Sequence, residues 1–444
     1  SSNGGTSWAT FTSPNLNGAN QTTYSSKNIG YNITQLYSVD IHPSQTNYFL
    51  AGTQDNGTQR FNAAGINTTV EASVGGDGGF THIDQQDGNI QVLAYVFNNY
   101  YYSRNGGLSF QRAFFDNSGF FINPTDYDDN RKVLYTSSGW GQLGVVNNLQ
   151  GPGAPTLANL SISGVIGNRT ISAIKYDPTS GGGTIWIASF DSTGASRPSI
   201  VKLTNANASP TAVVNTTLSA APGGSYVSSI DINPGNPNHL LVTLSNYGIV
   251  SVYESTDGGL TFTNIEGNLP DVPVRWGMFV PTNVSVSGTL GGGILLGTEI
   301  GVWFAQTAAG AATVWIPENT GMPNVRVDVL RYRPSDGLVA AATHGRGLFT
   351  TTLTSITTGI PTVPNTQNFI DYITVNKQRL LIDVGNLNTS TIEIQLYDMK
   401  GRLVHSSKTS YSNQSIPISQ LADGTYILKV YGNRKELFTK QFIK

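Results

Sequence analysis

Short runs in which apolar and polar residues alternate recur along most of the chain. Val39 and Ile41 alternate with polar neighbours in one such run, and Ile392, Ile394 and Leu396 do so in another. A period of two is typical of β-strands that bury one face. Turn-forming Gly, Asn, Asp and Pro residues separate the runs. The pattern therefore predicts an all-β protein and does not favour a helical bundle.

A longer repeat groups these strands into units. Each copy has an alternating strand that ends near Asp or Pro, a polar turn, a second apolar strand, a Gly-containing turn and a third strand. The copies lie roughly 40 to 56 residues apart, a spacing typical of four-stranded propeller blades. They begin at Ser38, Phe80, Phe120, Ser172, Ser228, Met278 and Val327. Seven copies predict a seven-bladed β-propeller.

An eight-residue word, S-x-[D/N]-G-G-x-[S/T]-[F/W], occurs at residues 1–8, 103–110 and 255–262. Its third residue, Asn3, Asn105 or Asp257, can accept hydrogen bonds from nearby backbone N–H groups, and its glycines can adopt positive φ. The word therefore predicts a tight hairpin turn. It resembles the Asp-box of sialidase-type and sortilin-type β-propellers. In those families the Asp-box is a structural turn and carries no chemistry.

The seventh copy ends after its third strand, where the repeat would next require an Asp-box and a fourth strand. Residues 1–11 have that composition. We therefore expect residues 1–353 to form the propeller, with the N-terminal strand closing the last blade, because an open propeller leaves strand edges free to pair. The alternative is that the sequence begins within a blade of a preceding propeller.

Beyond the repeats, residues 354–369 are rich in Thr and Pro and predict an extended linker. Residues 370–444 then predict a small β-sandwich, with a hairpin at residues 398–404 and a strand that begins after Gly424. Ten basic and six acidic residues lie in this segment. The tail is therefore positive, whereas the whole chain has a net charge of -2.

This C-terminal segment resembles the type A sorting domain of the type IX secretion system of Bacteroidetes. The matching residues are in D-x-x-G-R-x-V, in the later L-x-x-G-x-Y and in the terminal strand: Asp398, Gly401, Arg402, Val404, Leu421, Gly424, Tyr426, Lys440 and Lys444. The resemblance implies export across the outer membrane, recognition by the translocon and its outer-membrane shuttle protein, and a secreted or cell-surface location. The alternative is an ordinary β-sandwich that binds sugar or acts as a spacer.

Composition excludes several kinds of partner and chemistry. Only 12% of the 444 residues are charged and none is Cys. Nucleic-acid binding requires a basic face, which the balanced charges do not provide. The absence of Cys excludes disulfides, thiol nucleophiles and Cys-ligated metals. No apolar stretch approaches the roughly 20 residues of a membrane-spanning helix, so we expect no membrane span.

Candidate site residues lie where the repeat predicts loops. In each blade the turn between the second and third strands should lie at the opposite end from the Asp-box, beside the connectors to the next blade. The acids there are candidates for a pair of glycosidase carboxylates, and aromatic residues there can stack on sugars. The candidate catalytic residues are Asp55, Asp77, Asp191 and Glu299. The candidate ligand-binding residues are Trp140, Tyr247, Trp276, His344 and Arg346, with Arg275 and Trp276 assigned to a connector.

Several alternatives remain open for these residues. Asp55 and Asp77 lie in Gly-flanked words that need a side-chain acceptor for the turn itself. They could also hold Ca²⁺ with backbone carbonyls, although no D-x-D-x-D-G loop is present. The five His residues lack zinc-site spacing. We therefore expect no cofactor and no metal.

The words around Asp55, Asp77 and His344, namely GTQDNGT, VGGDGGF and THGRG, resemble secreted sortilin-like propeller repeats of Bacteroidetes. Taken together, the sequence predicts an exported propeller that binds a glycan or protein. The alternative is a glycoside hydrolase of the xyloglucanase type, because xyloglucan-cleaving propellers share the Asp-box. A sialidase is disfavoured because the expected Arg-Ile-Pro start is absent.

Overall fold

The protein is described by a computed structural model for residues 33–61, 69–71, 75–286, 289–355, 371–375, 378–383, 392–409, 413–432 and 435–444. The chain divides into two compact units, Ser1–Ile356 and Thr357–Lys444. The first copy of the eight-residue word, with Asn3 and the expected N-terminal closing strand, lies outside the described residues.

Within its described residues, the first unit contains eight sheets, and seven of them are the blades of a propeller. Blade 1 contains β1 (Asp40–Ile41), β2 (Phe49–Gly52), β3 (Asn56–Phe61) and β4 (Thr69–Glu71), and β5 (Gly76–Asp77) lies parallel to β3. Blade 2 contains β6 (Thr81–Ile83), β7 (Gln91–Ala94), β8 (Tyr100–Ser103) and β9 (Gln111–Arg112). Blade 3 contains β10 (Thr125–Asp128), β11 (Val133–Ser137), β12 (Gln142–Asn147) and β13 (Thr156–Ser161).

The middle of the unit repeats the same meander. A short helix, α1 (Ser163–Ile166), precedes blade 4, and a 3₁₀ turn (Pro178–Ser180) follows its first strand. Blade 4 contains β14 (Thr170–Tyr176), β15 (Ile185–Phe190), β16 (Ser199–Thr204) and β17 (Thr211–Thr217). Blade 5 contains β18 (Val227–Asn233), β19 (Asn236–Leu244), β20 (Val252–Ser255) and β21 (Thr263–Asn264).

Blades 6 and 7 depart from the pattern. A hairpin, β23 (Val284–Val286) with β24 (Thr289–Leu290), interrupts blade 6, which contains β22 (Val274–Val280), β25 (Gly293–Thr298), β26 (Gly301–Ala305) and β27 (Ile316–Pro317). The described part of blade 7 contains β28 (Val327–Arg333), β29 (Leu338–Thr343) and β30 (Gly347–Thr352). β31 (Thr354–Ser355) pairs with β23. The first two residues assigned to the linker are therefore in a strand, because backbone groups of β23 are available to pair with them.

The first strands of neighbouring blades lie side by side and surround a central channel. β28 of blade 7 also lies beside β1 of blade 1. Leu36 and Ile41 pack there against Val329 and Ala340 in one buried apolar cluster. Leu36 N–H donates to the carbonyl of Thr343 at 3.0 Å. Blades 1 and 7 therefore close the ring through direct packing between their own strands.

The two described copies of the eight-residue word form the same turn between the third and fourth strands of blades 2 and 5. Asp257 Oδ1 accepts the N–H of Thr261 at 2.9 Å, and Asn105 Oδ1 accepts the N–H of Ser109 at 3.1 Å. The final aromatic residue packs towards the preceding blade: Phe262 contacts the cluster that contains Trp186. The word therefore anchors the outer edge of one blade to its neighbour.

Gly259→Ala is expected to lower the free energy of unfolding by about 2 to 4 kcal/mol, from strain at positive φ together with overpacking. Gly259 has a φ of 82°, and an added Cβ would lie 2.6 Å from the Trp186 ring. Gly248→Ala is the matched control, because Gly248 has a φ of 71° but an added Cβ would meet nothing within 4 Å. Urea unfolding of both variants measures the difference, and equal losses would contradict the role of the Trp186 contact.

The second unit is a β-sandwich of two sheets in its described residues. One sheet contains β32 (Asp371–Val375), β33 (Arg379–Asp383) and β36 (Asn413–Pro417). The other contains β34 (Ile392–Asp398), β35 (Leu403–Thr409), β37 (Thr425–Gly432) and β38 (Lys435–Ile443). Ile392, Ile394 and Leu396 point into the buried core between them, as their alternation predicts.

Candidate functional site

One end of the channel is surrounded by aromatic side chains. The turns between second and third strands and the connectors between blades lie at this end, and we call its opening the channel mouth. The mouth leads into a cavity of about 200 Å³. The aromatic residues that line it are Tyr37, Phe80, Tyr226 and Trp276. Phe190 packs against Tyr226 with ring centroids 5.1 Å apart, so the aromatic wall continues behind the cavity.

Beside these rings lies a network of paired charges. Arg275 donates to Glu299 through Nε at 2.8 Å and through Nη2. Arg326 Nε donates to Asp328 Oδ1 at 2.7 Å and lies 3.9 Å from Glu299. Each guanidinium of the mouth therefore has a carboxylate partner, and the network has little net charge to offer an ionic ligand.

Asp328 and His344 present buried polar atoms near the cavity. His344 Nδ1 lies 3.2 Å from Asp328 Oδ2, and neither atom makes a hydrogen bond within the described part of the chain. The Tyr37 ring lies 5.6 Å from the His344 ring. Burial raises the pKa of the Tyr37 hydroxyl, and the charges of Asp77 and Asp328 raise it further. Tyr37 is therefore a neutral phenol at physiological pH, able to donate one hydrogen bond.

The inner wall of the mouth cavity is formed by hydroxyl side chains of the first strands, including Thr125, Ser172 and Ser228. Ser172 Oγ is buried and has no hydrogen-bond partner among the described residues. Burial raises the pKa of the neighbouring Tyr226 to about 12. An unpaired buried hydroxyl is costly, and a polar ligand group in the cavity would satisfy it.

The opposite end of the channel is charged. A cavity of about 370 Å³ there shares no lining residue with the mouth cavity. Asp40, Asp126 and Asp129 line it together with Lys175 and Arg331. Burial raises the pKa of Asp129 to about 7 and that of Asp40 to about 6. His82 lies between the two cavities, because it lines this cavity and hydrogen-bonds at 2.8 Å to Thr125, which lines the mouth cavity. Burial lowers the pKa of His82 to about 3.

The four acids proposed as catalytic are distributed over different structures. Glu299 is in the mouth network. Asp55 has a φ of 62° at the tip of its turn, and its N–H donates to Asp77 Oδ1 at 3.1 Å. Asp191 accepts hydrogen bonds from Thr193 and Ser196, which lower its pKa to about 2. Within the described ranges, no group of three or more acidic or His side chains is arranged to hold a metal ion.

The residues predicted to bind a ligand do not lie at a single site. Trp276 lies in the mouth and His344 adjoins it, whereas Trp140 lines a different groove, described below, together with Asp191. Tyr247 is 66% exposed at the tip of its turn. Arg346 is half-buried in the turn that follows His344.

One placement inferred from sequence was wrong. Arg275 and Trp276 were assigned to a connector, but they lie in β22, the first strand of blade 6. The strand begins early because Val274 and Trp276 find partners in β25, across an irregularity in the register.

Sequence inspection missed Tyr37, Tyr226, Arg326 and Asp328. A repeat signal was available, because an aromatic residue or an arginine precedes or begins the first strand of every blade except blade 3. Aligning the copies on this position would have identified the ring around the mouth.

In the second unit the motif residues build two turns. Asp398 accepts the backbone N–H groups of Lys400 and Arg402, each at 3.0 Å, and this lowers its pKa. Gly401 has a φ of 78° between them. Val404 packs onto the buried core of the sandwich. The first motif therefore forms a rigid hairpin turn, with the Arg402 side chain 79% exposed.

The second turn is tied to the C-terminus. Lys444 Nζ donates to the carbonyls of Ser419 and Leu421, and Lys444 N–H donates to Gly424 at 3.0 Å. Tyr426 donates its hydroxyl to the Ala422 carbonyl at 2.8 Å, while Lys440 lies in β38. The terminal lysine therefore organises the turn.

Comparison with known proteins gives a family match for the second unit and a likeness in fold for the first. Residues 371–444 match the family described as a secretion system C-terminal sorting domain. No curated protein matches the chain significantly in sequence. None of the described helices is long and apolar enough to cross a membrane.

Solved structures resemble the chain in fold at low identity. A GH74 xyloglucanase from Xanthomonas campestris is 13% identical with a TM-score of 0.53, over 80% of this chain and 58% of that one. YCF48 from Cyanidioschyzon merolae is 9% identical with a TM-score of 0.50, over 72% and 96%. PorZ, a surface component of the type IX secretion system of Porphyromonas gingivalis, is 12% identical with a TM-score of 0.47, over 90% and 56%.

These likenesses concern the fold alone, and the chain spans about half the length of the GH74 structures. The two units carry separate information: seven blades form a propeller with aromatic side chains at its channel mouth, and the last 74 residues match a sorting domain. The protein is an all-β propeller followed by a C-terminal sorting domain, which indicates export through the type IX system to the cell surface or beyond.

Proposed function

We propose that the exported propeller binds a neutral saccharide at the channel mouth. The observation that carries the proposal is the ring of four aromatic side chains around a small cavity whose inner wall carries hydroxyl side chains. Aromatic faces pack against the apolar faces of sugar rings, while a few placed polar groups fix their orientation. The unpartnered Ser172 Oγ and the Tyr226 hydroxyl supply such groups.

Charge pairing supports a neutral ligand over an acidic one. Arg275 and Arg326 already have Glu299 and Asp328 as partners. An incoming carboxylate would have to displace one of these, and breaking a partly buried ion pair leaves an uncompensated charge. A neutral sugar can instead accept a hydrogen bond from Tyr37 without separating either arginine–carboxylate pair.

Trp276→Ala and Tyr226→Ala are each expected to weaken binding of a neutral oligosaccharide by tenfold or more, or about 1.4 kcal/mol. Binding is first found with a panel of neutral polysaccharides and then measured by calorimetry. Leu260→Ala is the control, because Leu260 is 65% exposed in the Asp-box turn at the other end of the blade. Thermal unfolding checks that the variants fold. No binding across the panel, or unchanged affinity in both folded variants, would overturn the proposal.

Glycoside hydrolysis is a second candidate at the same mouth. It is supported by the buried Asp328 carboxylate next to His344 and by Glu299 on the other side of Arg326. Such an enzyme needs two carboxylates that flank the scissile bond. Glu299 and Asp328 are both held in ion pairs, which disfavours a catalytic role for them. The same panel is therefore also assayed for released reducing ends, which Glu299→Gln should abolish if the site is catalytic.

We also propose that the propeller is of the Asp-box, sortilin-like type and that an outer-membrane shuttle protein recognises its sorting domain. The matching turns of blades 2 and 5 support the first proposal. The exposed Arg402 beside a rigid turn supports the second.

A further inference from the structure

A second depression lies at the same end of the propeller as the mouth, between blades 3 and 4. It has a volume of about 590 Å³ and shares no lining residue with the mouth cavity. We call it the blade 3/4 groove. Its lining residues include Trp140, Arg169, Asp191 and Arg197.

Trp140 stands out from the blade 3 turn into solvent. Its side chain is 66% exposed. The flanking Gly139 and Gly141 have φ values of 102° and 65°, a backbone region that favours glycine. The turn therefore holds an indole at the edge of the groove with one face free to stack, an arrangement suited to a sugar ring.

Two arginines of the groove lack carboxylate partners among the described residues. Arg169 donates through Nε to the Ile166 carbonyl at 2.6 Å and through Nη1 to Arg197 O at 3.0 Å and Ser199 Oγ at 3.1 Å. Arg197 donates to the Ser219 carbonyl. These bonds fix both guanidinium groups without neutralising them. Burial lowers the pKa of Arg169, although Asp191 opposes this effect.

Asp191 is the one acidic residue among the described residues that line the groove. Its oxygens are already used by the turn: Oδ1 accepts from Thr193 N at 2.9 Å and from Thr193 Oγ1 at 2.7 Å, and Oδ2 accepts from Ser196 N at 2.8 Å. Two guanidinium groups against one carboxylate leave the groove positive. This contrasts with the mouth, where Arg275 and Arg326 are both paired.

We propose that the blade 3/4 groove binds an acidic sugar unit, with Trp140 stacking on its ring and Arg169 and Arg197 binding its anionic group. Guanidinium groups bind carboxylate and sulfate oxygens through charge-assisted hydrogen bonds, which are stronger than neutral ones. A uronic acid and a sulfated sugar share this chemistry. The proposal is independent of the neutral site at the mouth.

The test is calorimetry on the full chain with three probes: an oligogalacturonate, the same oligomer with its carboxylates reduced to alcohols, and a sulfated galactan oligosaccharide. We expect the oligogalacturonate or the sulfated probe to bind at least tenfold more tightly than the reduced oligomer. A tenfold ratio of dissociation constants corresponds to a difference of about 1.4 kcal/mol in binding free energy. Binding should weaken with added salt, because the groove is partly open to water.

Arg169→Gln, Arg197→Gln and Trp140→Ala should each weaken binding of the acidic probe by about tenfold, as expected for one charge-assisted contact or one stacked ring. Trp140→Phe should retain most of the affinity, because it keeps an aromatic face. Phe115→Ala is the matched control, since Phe115 is equally exposed, at 66%, outside the groove. If Arg169→Gln fails to fold, Arg197→Gln and the comparison of Trp140→Ala with Trp140→Phe still test whether the groove binds the acidic probe.

The probes distinguish the outcomes. Binding of the oligogalacturonate identifies a carboxylate as the ligand group, and binding of the sulfated probe alone identifies a sulfate; both support the proposal. Equal binding of the reduced oligomer would overturn it, as would no binding of any probe. Loss of neutral-sugar binding in Trp276→Ala with retained acidic-probe binding would show that the two sites act separately.

Discussion

Removal of residues 357–444 is expected to abolish export and leave the propeller in the periplasm. These residues form the second compact unit, which contains the match to the sorting domain. The core of the first unit is built from its own blades, including the contact between blades 1 and 7 that closes the ring. The truncated protein should therefore keep its propeller and lose only the part that the secretion machinery recognises.

Cell fractionation of the native host measures this result, with thermal unfolding of the purified truncated protein as a check on its fold. Full-length protein carrying Leu260→Ala is the control and should be exported normally, because Leu260 is an exposed residue of the propeller. Appearance of the folded, truncated protein outside the cell at the full-length level would contradict the prediction.

The charged end of the channel should make the stability of the propeller depend on pH. Burial raises the pKa of Asp129 to about 7 and that of Asp40 to about 6, from an ordinary value of 3.8. Between pH 3.8 and these raised pKa values, the folded state holds more protons than the unfolded state. The contribution of the two protonated carboxyl groups to the free energy of unfolding is therefore full below about pH 4 and is lost as pH rises towards 7. Lys175 and Arg331 offset only part of the negative charge of Asp40, Asp126 and Asp129.

Asp129→Asn is expected to stabilise the protein at pH 8 by about 2 kcal/mol and to have little effect near pH 4.5, since each pKa unit is worth 1.36 kcal/mol and channel water screens part of the effect. The asparagine keeps an Oδ1 that can accept the Gln85 N–H, as Asp129 does at 2.7 Å. Urea unfolding from pH 4.5 to 8 measures it. Asp271→Asn, at an exposed aspartate, is the control. A stability difference that does not change with pH would contradict the assignment.

Local features were predicted most successfully from the sequence. The turn at residues 255–262 is set by one acceptor side chain and two glycines within eight residues, so its structure needs no distant contact. The strand of Ile392, Ile394 and Leu396 is set by its own alternation. The seven-bladed architecture follows because each blade repeats such local units in the same order.

The extent of strands and the grouping of site residues were less predictable. Trp276 belongs to β22 because β25 offers it a partner, and β25 lies beyond an inserted hairpin. Asp77 accepts a hydrogen bond from Asp55, which is 22 residues earlier in the chain. A pairing of this kind depends on where two turns meet, and the words around each residue do not encode it.

The sequence by itself determined the all-β class, the number of blades and the export signal, because these depend on residue spacing within short segments. Only the tertiary structure decided which polar residues meet. Closing seven similar blades into a ring brings Tyr37 and Asp328 together at the mouth, although Tyr37 precedes the first blade in the sequence and Asp328 belongs to the last. Within blade 6, the pairing of β22 with β25 brings Arg275 to Glu299, 24 residues later, whereas Arg169 and Arg197 have no acidic partner in the described structure, since side-chain pairing depends on the distances between segments that are separate in sequence.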